Sequence, residues 1–470
     1  MHFYTNFLQL ILIFVELTPK ISIMKRFFLI LAIAAALPTI LLAENKVKHA
    51  EWFFAQKKKN FIAEADFLQS SRYYATTGDE AWFRFEGADK SAKPTLNRNA
   101  ELSYSNTREG DCWYFEMPVE DLPKGAVVDL WTPFHAYPTG SGHRFAVEYR
   151  DGKKWLPLMP ADEDGVNYHT SKISRSAHIW HSFRLQKPIK QGVVAVRIRQ
   201  IEKWCGASYV ALLSRSGVHP QMICHPAPEI RDTTRILFIG NSATYCNTYP
   251  FIFKDIAMRE GHYADCRMTF VGGFTMRDHL AYTPTIEAIE AGGYDYAFFQ
   301  CHSFKRIFTG TEDDMGMRKP MEDIVTLVRK HSPEVQPLIA LAWARKYGNN
   351  NISKRDQHLI AKYPSFFSSF SAMQDRINEV VAAEAATVGA KVACYGYAWQ
   401  IVRRERPEIE LYAKDAAHPS YTGSYLAAAV AYQTIYGEPF GANPSDGRLD
   451  AETAAYLRSV AERVVLKGER

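Results

Sequence analysis

Two different patterns of apolar and polar positions divide the chain into two halves. From about residue 50 to 220, short segments alternate apolar and polar residues, which is the period-2 pattern of strands with one buried face. Gly, Asp and Pro separate the predicted strands, which lie at 81–85, 112–117, 127–131, 144–149, 193–199 and 209–213. This half therefore predicts an all-β sandwich with a jelly-roll-like topology.

From residue 235 the pattern changes to buried strands that alternate with helices. Continuous apolar runs are typical of strands that are covered on both faces, and they occur at 235–239, 267–271, 294–299, 337–342 and 391–395. Helical patterns lie at 249–260, 281–291, 319–331, 370–388, 422–436 and 451–466. The alternation predicts a doubly wound, three-layer α/β/α domain with a parallel sheet. In such a domain the ligand crevice lies beyond the carboxyl ends of the strands.

These patterns and the amino-terminal segment predict four parts along the chain. They are an upstream extension with a signal peptide (1–43), a β-sandwich accessory domain (44–218), a linker (219–233) and the α/β domain (234–470). The linker is predicted from its three prolines and from its lack of periodic apolar positions.

Residues 24–43 carry the charge and apolar pattern of a secretory signal. Lys25 and Arg26 precede an apolar stretch that ends at the small residue Ala43, as in exported proteins. The residues before this signal are interpreted as an upstream extension. A membrane anchor is the alternative, although Pro38 interrupts a span near the lower limit of ~17–20 apolar residues. We expect no stable membrane span after cleavage, and a location in the periplasm or outside the cell.

Composition excludes some classes of function. The 470-residue chain has 47% hydrophobic and 23% charged residues, which is the balance of a globular protein. Its 56 Lys and Arg residues against 51 Asp and Glu residues are too evenly matched to predict nucleic-acid binding. Seven cysteines are too few for a disulfide scaffold, and the odd count leaves at least one unpaired or paired with another chain. In an exported protein, Cys112 and Cys205 are the first pair to test. The sequence predicts no particular oligomeric state.

Residues with catalytic chemistry follow the first two predicted parallel strands. Ser242, in Gly240-Asn241-Ser242, comes after the first strand, and Gly273 comes after the second. A serine at this place puts its hydroxyl at the crevice, and backbone N–H groups of such turns stabilise developing negative charge. The alternatives are a helix-capping role for Ser242 and an ordinary tight turn at Gly273.

Two further groups lie farther along the chain. Gln300 and His302 follow the third strand, and a side-chain amide there can donate to an oxyanion. Asp415 and His418 stand three residues apart, and Pro419 disfavours a helical conformation at His418. We therefore expect a loop that presents both side chains just before a late helix. The alternatives are a satisfied polar residue at the strand end, a helix-capping Asp and a surface His.

Together the four groups resemble the SGNH (GDSL-like) hydrolase superfamily over roughly residues 233–466. Gly240-Asn241-Ser242 stands in place of that family's nucleophile block, the segment 415–418 matches its Asp-x-x-His block, and Gly273 falls where the family keeps an oxyanion glycine. The family's Gly-x-Asn block is missing, and Gln300-Cys301-His302-Ser303 stands there instead. Some carbohydrate-esterase branches carry a Gln in this region, so Gln300 is the expected third oxyanion donor and His302 is its rival.

The resemblance implies a serine esterase that works without a metal or another cofactor. Ser242 would be the nucleophile, His418 its general base, and Asp415 the residue that orients the imidazole. The backbone N–H groups of Ser242 and Gly273, with the Gln300 amide, would form the oxyanion hole.

Other residues near the crevice are secondary candidates. Asn241, His302 and Arg345 are expected to contact the substrate. Arg345 follows the fourth strand, where its charge would suit either an acidic sugar or a structural ion pair. Cys246 and Cys301 leave a thiol nucleophile as an alternative, although a small buried thiol is the commoner outcome.

The expected function is hydrolysis of ester groups, specifically O-acetyl groups on a glycan, by an exported enzyme. The glycan rests on analogy and on tryptophans of the first half that would stack on sugars if exposed, namely Trp113, Trp131, Trp155, Trp180 and Trp204. Core positions for these tryptophans are the alternative. The rival functions are a lipid esterase or thioesterase of the same superfamily and a non-catalytic glycan-binding protein on a hydrolase fold.

Overall fold

A computed structural model describes the second half of the chain and separate parts of the first. The described residues are 48–52, 73–75, 77–87, 94–96, 101–105, 109–137, 144–157, 168–169, 176–201, 209–213, 219–225 and 230–470. The predicted signal peptide, Cys205 and Trp204 lie outside these residues, and so does the side chain of Trp180. The disulfide between Cys112 and Cys205 therefore stays a prediction.

The described strands of the first half form two antiparallel sheets. These strands are β1 (Lys48–Glu51), β2 (Tyr73–Tyr74), β3 (Thr77–Gly78), β4 (Trp82–Glu86), β5 (Pro94–Leu96), β6 (Glu101–Ser105), β7 (Cys112–Leu122), β8 (Val127–Tyr137), β9 (Arg144–Asp151), β10 (Lys154–Pro157), β11 (Tyr168–His169), β12 (Ser176–Arg184), β13 (Ile189–Gln200), β14 (Tyr209–Leu213) and β15 (Gln221–His225). One sheet has the order β3-β1-β15-β8-β14-β6-β5, with β12 also paired to β8. The other has the order β10-β9-β13-β7-β4-β2, with β11 paired to β9. The predicted jelly-roll-like sandwich stays a prediction.

Apolar side chains from both antiparallel sheets meet in one hydrophobic cluster. Phe115 and Val196 enter it from one sheet, and Leu130 and Met222 enter it from the other. Alternation along each strand directs one set of side chains inward, as the period-2 pattern predicts.

The second half contains a parallel sheet and the helices that cover it. Its strands are β16 (Asp232–Gly240), β17 (His262–Phe270), β18 (Tyr296–Phe299), β19 (Gln336–Ala340) and β20 (Lys391–Ala393). Its helices are α1 (Ser242–Tyr245), α2 (Tyr249–Arg259), α3 (Met276–Leu280), α4 (Thr283–Glu290), α5 (Ser303–Arg306), α6 (Arg318–His331), α7 (Gln357–Lys362), α8 (Pro364–Phe367), α9 (Phe370–Val388), α10 (Tyr395–Glu405), α11 (Tyr421–Tyr436) and α12 (Ala451–Val465). Short 3-10 turns lie at Cys246–Thr248 and Lys354–Asp356.

The parallel sheet separates two hydrophobic cores. Because successive side chains of a strand point to opposite faces, Ile236 and Phe238 pack in one core with α2, α10, α11 and α12. Leu237 and Ile239 pack in the other core with α4, α6 and α9. The strand order is β17-β16-β18-β19-β20, so the predicted α/β domain with a parallel sheet is confirmed. From β16 the chain goes first to β17 on one side and then to β18 on the other, so the strand order reverses at β16. The crevice beyond the carboxyl end of β16 is the expected ligand site.

The structure corrects two of the predicted elements. Residues 221–225, predicted to be part of the linker, form β15, which pairs with β1 and β8. Prolines flank this short segment in the sequence, and five residues are too few to reveal a periodic pattern. Helix α10 begins at Tyr395, which the sequence analysis placed at the end of a strand. The aromatic residues of its first turn have the composition that strands favour, which explains the wrong prediction.

The tryptophans of the first half that the structure describes are not an exposed sugar-binding face. Trp113 and Trp131 are fully buried. Trp155 is half-buried, with its ring 5.6 Å from that of Tyr114 and with the guanidinium of Arg197 at 4.5 Å. For these three residues the alternative of structural packing accounts for the aromatic content.

Helix α2 joins the two halves through apolar and charged contacts. Phe251 packs with Trp131 and Ile223 of the antiparallel half. Lys254 Nζ lies 3.0 Å from Asp129 Oδ1, and both side chains are fully buried. Because an unpaired buried charge is costly, this ion pair fixes the position of α2 against β8.

Candidate active site

Ser242, His418 and Asp415 meet at the carboxyl edge of the parallel sheet. His418 Nε2 lies 2.8 Å from Ser242 Oγ, and His418 Nδ1 lies 2.5 Å from Asp415 Oδ2. The imidazole and carboxylate side chains are 39% and 38% exposed, so a substrate can reach them. In this arrangement one imidazole nitrogen can accept the serine proton while the carboxylate holds the other.

The turn that carries Ser242 is shaped by the two residues before it. A Cβ at Gly240 would lie 2.5 Å from Thr244 Oγ1, so glycine is needed for α1 to fold back this closely on β16. Asn241 caps α1, because its Oδ1 accepts a hydrogen bond from the N–H of Ala243 at 3.2 Å. Asn is a favoured residue at this position because its side chain satisfies a free N–H of the first turn.

The turn after β17 brings Gly273 beside the nucleophile. Asn241 Nδ2 donates to Phe274 O at 2.9 Å, which ties this turn to the one that carries Ser242. Asn241 was expected to contact substrate, and in the structure its amide oxygen and its amide nitrogen each make a hydrogen bond within the protein. A contact between Asn241 and substrate stays a prediction. Gly273 has φ of +75°, which favours glycine, and the space where a Cβ would stand is open. Among the described residues, the N–H groups of Ser242 and Gly273 have no hydrogen-bond partner.

Gln300 is hydrogen-bonded to the turn that carries the nucleophile. Its Oε1 accepts hydrogen bonds from the N–H of Asn241 at 3.1 Å and from Thr244 Oγ1 at 3.0 Å. A backbone N–H can only donate, so the atom that faces Asn241 must be the amide oxygen. Gln300 Nε2 donates to Cys301 O at 2.7 Å, and the side chain is buried. One N–H of this amide is therefore used within the protein, the second has no partner among these bonds, and the oxyanion role of Gln300 stays a prediction.

The loop that presents His418 is held by hydrogen bonds to its backbone. Asp415 Oδ1 accepts from the N–H groups of Ala417 at 3.0 Å and His418 at 2.9 Å. Trp343 Nε1 donates to Ala417 O at 3.0 Å. Burial raises the pKa of Asp415, but the hydrogen bonds from His418 and from the two N–H groups outweigh it and lower the pKa below its ordinary value. Asp415 therefore stays ionised, as a residue that orients an imidazole should.

His302 is the second sequence candidate for an oxyanion donor. Its Nδ1 is buried without a hydrogen-bond partner in the described part of the chain. Burial, together with the charges of Lys305 and Arg345, lowers the pKa of His302 to about 4. A neutral imidazole retains one N–H donor, so His302 is chemically able to donate to an oxyanion and stays a rival of Gln300 for that role.

The two candidate thiols are poor nucleophiles. Cys246 is buried, and burial raises its pKa to about 12, with a further contribution from the charge of Asp415. Burial also raises the pKa of Cys301. Because the thiolate is the reactive form, these environments disfavour the cysteine alternative.

Two supporting residues were missed by the sequence analysis. Asn247 Nδ2 donates to Pro419 O and to Ser424 Oγ, both at 2.9 Å, and so links the segment after Ser242 to the loop of His418. His279 Nε2 donates to Gly240 O at 3.0 Å at the end of β16. The only available signal for Asn247 was its residue type, because Asn tolerates the positive φ of 57° found there.

The described ranges contain neither a metal-binding cluster nor a membrane-spanning helix. No group of three or more His, Cys, Asp or Glu side chains there is arranged to hold a metal ion. No helix in the same part of the chain is both long enough and apolar enough to cross a bilayer.

Comparisons with known proteins give structural similarities only. No family model matches the sequence, and no curated protein matches it. A proposed SGNH hydrolase from Slackia heliotrinireducens is 25% identical, with a TM-score of 0.34 over 43% of this chain and 99% of its own. A DUF4886 family protein from Bacteroides uniformis is 18% identical, with a TM-score of 0.41 over 51% of this chain and 97% of its own.

A third similar structure extends into the first half. It is a family two carbohydrate esterase from Clostridium thermocellum in complex with cellohexaose, which is 13% identical with a TM-score of 0.29 over 76% of this chain and 98% of its own. All three TM-scores are below 0.5, so these similarities assign no chemistry to the chain. The similar structures include a proposed SGNH hydrolase, and an SGNH-like hydrolase is also what the sequence motifs resemble.

Proposed function

We propose that the chain is an exported serine esterase that hydrolyses ester groups, specifically O-acetyl groups on a carbohydrate. The observation that carries the esterase is the hydrogen-bonded series from Ser242 Oγ through His418 to Asp415, at 2.8 and 2.5 Å. Export rests on the signal pattern of residues 24–43. The carbohydrate rests on the resemblance of the motifs to carbohydrate esterases, which is an argument by analogy.

The mechanism has two stages. Ser242 Oγ attacks the ester carbonyl carbon while its proton moves to His418 Nε2, and Asp415 stabilises the resulting imidazolium. The carbon–oxygen bond to the alcohol then breaks as His418 returns that proton to the leaving oxygen. Water attacks the acyl-enzyme with His418 again as the base, and the carboxylic acid and free Ser242 are regenerated.

The negative oxygen of each tetrahedral intermediate needs hydrogen-bond donors. We assign the backbone N–H groups of Ser242 and Gly273, whose lack of partners in the described residues supports this role. The third donor is Gln300 or His302: the Gln300 amide has one N–H bonded to Cys301 O and a second N–H left, and the neutral imidazole of His302 has one N–H. The chemistry of these residues requires no cofactor.

The first experiment compares the mature chain (residues 44–470) with Ser242→Ala on 4-nitrophenyl acetate and on acetylated polysaccharides. We expect the wild type to release acetate from both and the variant to lose about 10⁴- to 10⁶-fold in kcat. Ser459→Ala is a matched control, because Ser459 lies on helix α12, donates to Tyr456 O of the same helix and is not assigned a role in the site.

The possible results separate the candidate functions. Activity on long-chain acyl esters without activity on acetylated glycans would favour a lipid esterase. Equal inactivity of the wild type and Ser242→Ala on every ester would contradict the esterase, and binding to a glycan would then favour the non-catalytic alternative.

A further inference from the structure

Arg345 lies in the loop after β19, next to the residues of the candidate active site. Its Nη1 donates to Asn350 O at 3.2 Å and to Asn351 O at 2.5 Å, and its guanidinium lies 5.7 Å from the centre of the Phe304 ring. The side chain of Asn351 reaches Asp415 Oδ2 at 3.4 Å. The same loop therefore holds Arg345 and contacts the carboxylate that orients His418.

The guanidinium of Arg345 has no compensating carboxylate. Within the described part of the chain no Asp or Glu oxygen lies within ion-pair distance of it, so the structural ion pair that the sequence left open is not formed there. Nη2 makes no hydrogen bond to a described residue, and Nε is buried without a partner. Burial lowers the pKa of Arg345, while the more distant charges of Asp415 and Asp356 oppose that effect. A partly buried cation in this state is stabilised when an anion arrives with the ligand.

His302, Asp415 and Asp356 are titratable residues that interact electrostatically with Arg345. His302 is close enough for the charge of Arg345 to lower its pKa. Asp415 is committed to His418 and two backbone N–H groups, and Asp356 accepts from Ser353 Oγ at 2.7 Å. Neither carboxylate lies within ion-pair distance of Arg345. The Nε and Nη2 donors of Arg345 suit the two oxygens of a carboxylate.

We infer that Arg345 binds a carboxylate that the substrate carries close to the scissile ester. This inference rests on the proposed esterase function and deepens it by naming the charge of the substrate. The carboxylate belongs either to an acidic sugar residue next to the acetylated one or to the acyl chain itself. Both sources present the same planar anion to a guanidinium.

The experiment compares matched charged and neutral esters. One pair is 4-nitrophenyl hemisuccinate and 4-nitrophenyl butyrate, which differ by a carboxylate in the acyl part. The other pair is O-acetylated polygalacturonate and its methyl-esterified, O-acetylated form, which differ by a carboxylate in the sugar part, with acetate release as the readout. The proteins are the wild type, Arg345→Gln, Arg345→Lys and the control Arg355→Gln, which removes the charge of an exposed arginine near the same loop.

We expect Arg345→Gln to lower kcat/KM about 10- to 100-fold on one carboxylated substrate, mainly through KM, and to change its neutral counterpart about 2-fold or less. Arg345→Lys should recover part of the loss, and Arg355→Gln should resemble the wild type. Selectivity in the acyl pair would assign the carboxylate to the acyl chain, and selectivity in the sugar pair would assign it to an acidic sugar.

Two results would overturn the inference while leaving the esterase intact. One is a wild type that hydrolyses both members of each pair equally well. The other is an Arg345→Gln variant that loses the same activity on charged and neutral esters, because a purely structural arginine would affect both alike. Thermal unfolding of each variant checks that it is folded. Inactivity of the wild type on all four substrates would overturn the proposed function together with the inference.

Discussion

Two of the histidines that contact Asp side chains in the described part of the chain, His418 and His225, lie in different settings. At the crevice, His418 is 39% exposed and its two ring nitrogens face different groups, the carboxylate of Asp415 and the hydroxyl of Ser242. Between the two halves of the chain, His225 is buried and both of its nitrogens face carboxylates. Its Nε2 lies 2.9 Å from Asp129 Oδ2, and its Nδ1 lies 3.2 Å from Asp255 Oδ1.

The difference decides what each imidazole can do. Burial alone would lower the pKa of His225, but hydrogen bonds to Asp129 and Asp255 outweigh it and raise the pKa above its ordinary value. His225 is therefore held as a cation between two anions and has no free nitrogen to act as a base. His418 keeps one nitrogen facing the Ser242 hydroxyl, so the same two residue types are arranged for the proposed chemistry in one place and for cohesion in the other.

The largest effect separates the two histidines by substitution to the same residue. We expect His418→Gln to lower kcat about 10⁴- to 10⁶-fold and to change the free energy of unfolding little, because His418 is partly exposed. His225→Gln should retain kcat per folded molecule but unfold at lower urea concentration, because Asp129 and Asp255 lose the imidazole between them and Lys254 is left as the cation beside Asp129. Aryl acetate kinetics and urea unfolding measure the two properties. A large loss of kcat in folded His225→Gln would contradict the comparison.

The next effect tests the buried ion pair beside His225. Lys254→Met removes the 3.0 Å partner of Asp129 in a fully buried position where His225 remains beside the carboxylate, so we expect a loss of up to about 3–5 kcal/mol in the free energy of unfolding. Lys319→Met removes an exposed lysine whose partner is Asp323, and it should lower the free energy of unfolding far less, because water screens an exposed ion pair. Urea unfolding of both variants at neutral pH makes the measurement, and equal losses would show that burial does not set the cost.

The smallest effect is the dependence of stability on pH. Burial raises the pKa of Asp129, but the charge of Lys254 and the hydrogen bond to His225 outweigh it and lower the pKa to about 2. Because the unfolded value is about 3.9, the stabilisation is complete above pH ~4 and is lost as the pH falls toward ~2. Unfolding free energies between pH 7 and 2 should decline less steeply for Asp129→Asn than for the wild type.

The sequence predicted the residues of the crevice better than their supports. Ser242, Asp415 and His418 were identified because the ends of parallel strands converge and because short spacing in a loop keeps two side chains together. The contacts of Gln300 with the nucleophile turn were missed because its residue type shows that it can donate but not that a buried backbone N–H bonds to its oxygen. Asn247 was missed because its partner Pro419 lies 172 residues away in the chain.

The elements show the same limit. The parallel strands were predicted because each is an uninterrupted apolar run, whereas β15 was taken as part of the linker because five residues between prolines carry no period. Its assignment depends on pairing with β1 and β8, which are distant in sequence. Local patterns therefore predicted the elements that bury many residues of their own, and tertiary pairing decided the rest.

The contacts of helix α2 have a consequence for the way this protein can be divided. Lys254 and Phe251 belong to the α/β half, yet the groups that cover them, Asp129, Trp131 and Ile223, belong to the antiparallel half. Cutting the gene at residue 230 would expose an ammonium and an aromatic ring at the same surface. The antiparallel half therefore cannot be exchanged or removed without exposing helix α2. A fusion or truncated protein that lacks this half would need substitutions at Lys254 and Phe251 that suit a solvent-exposed surface.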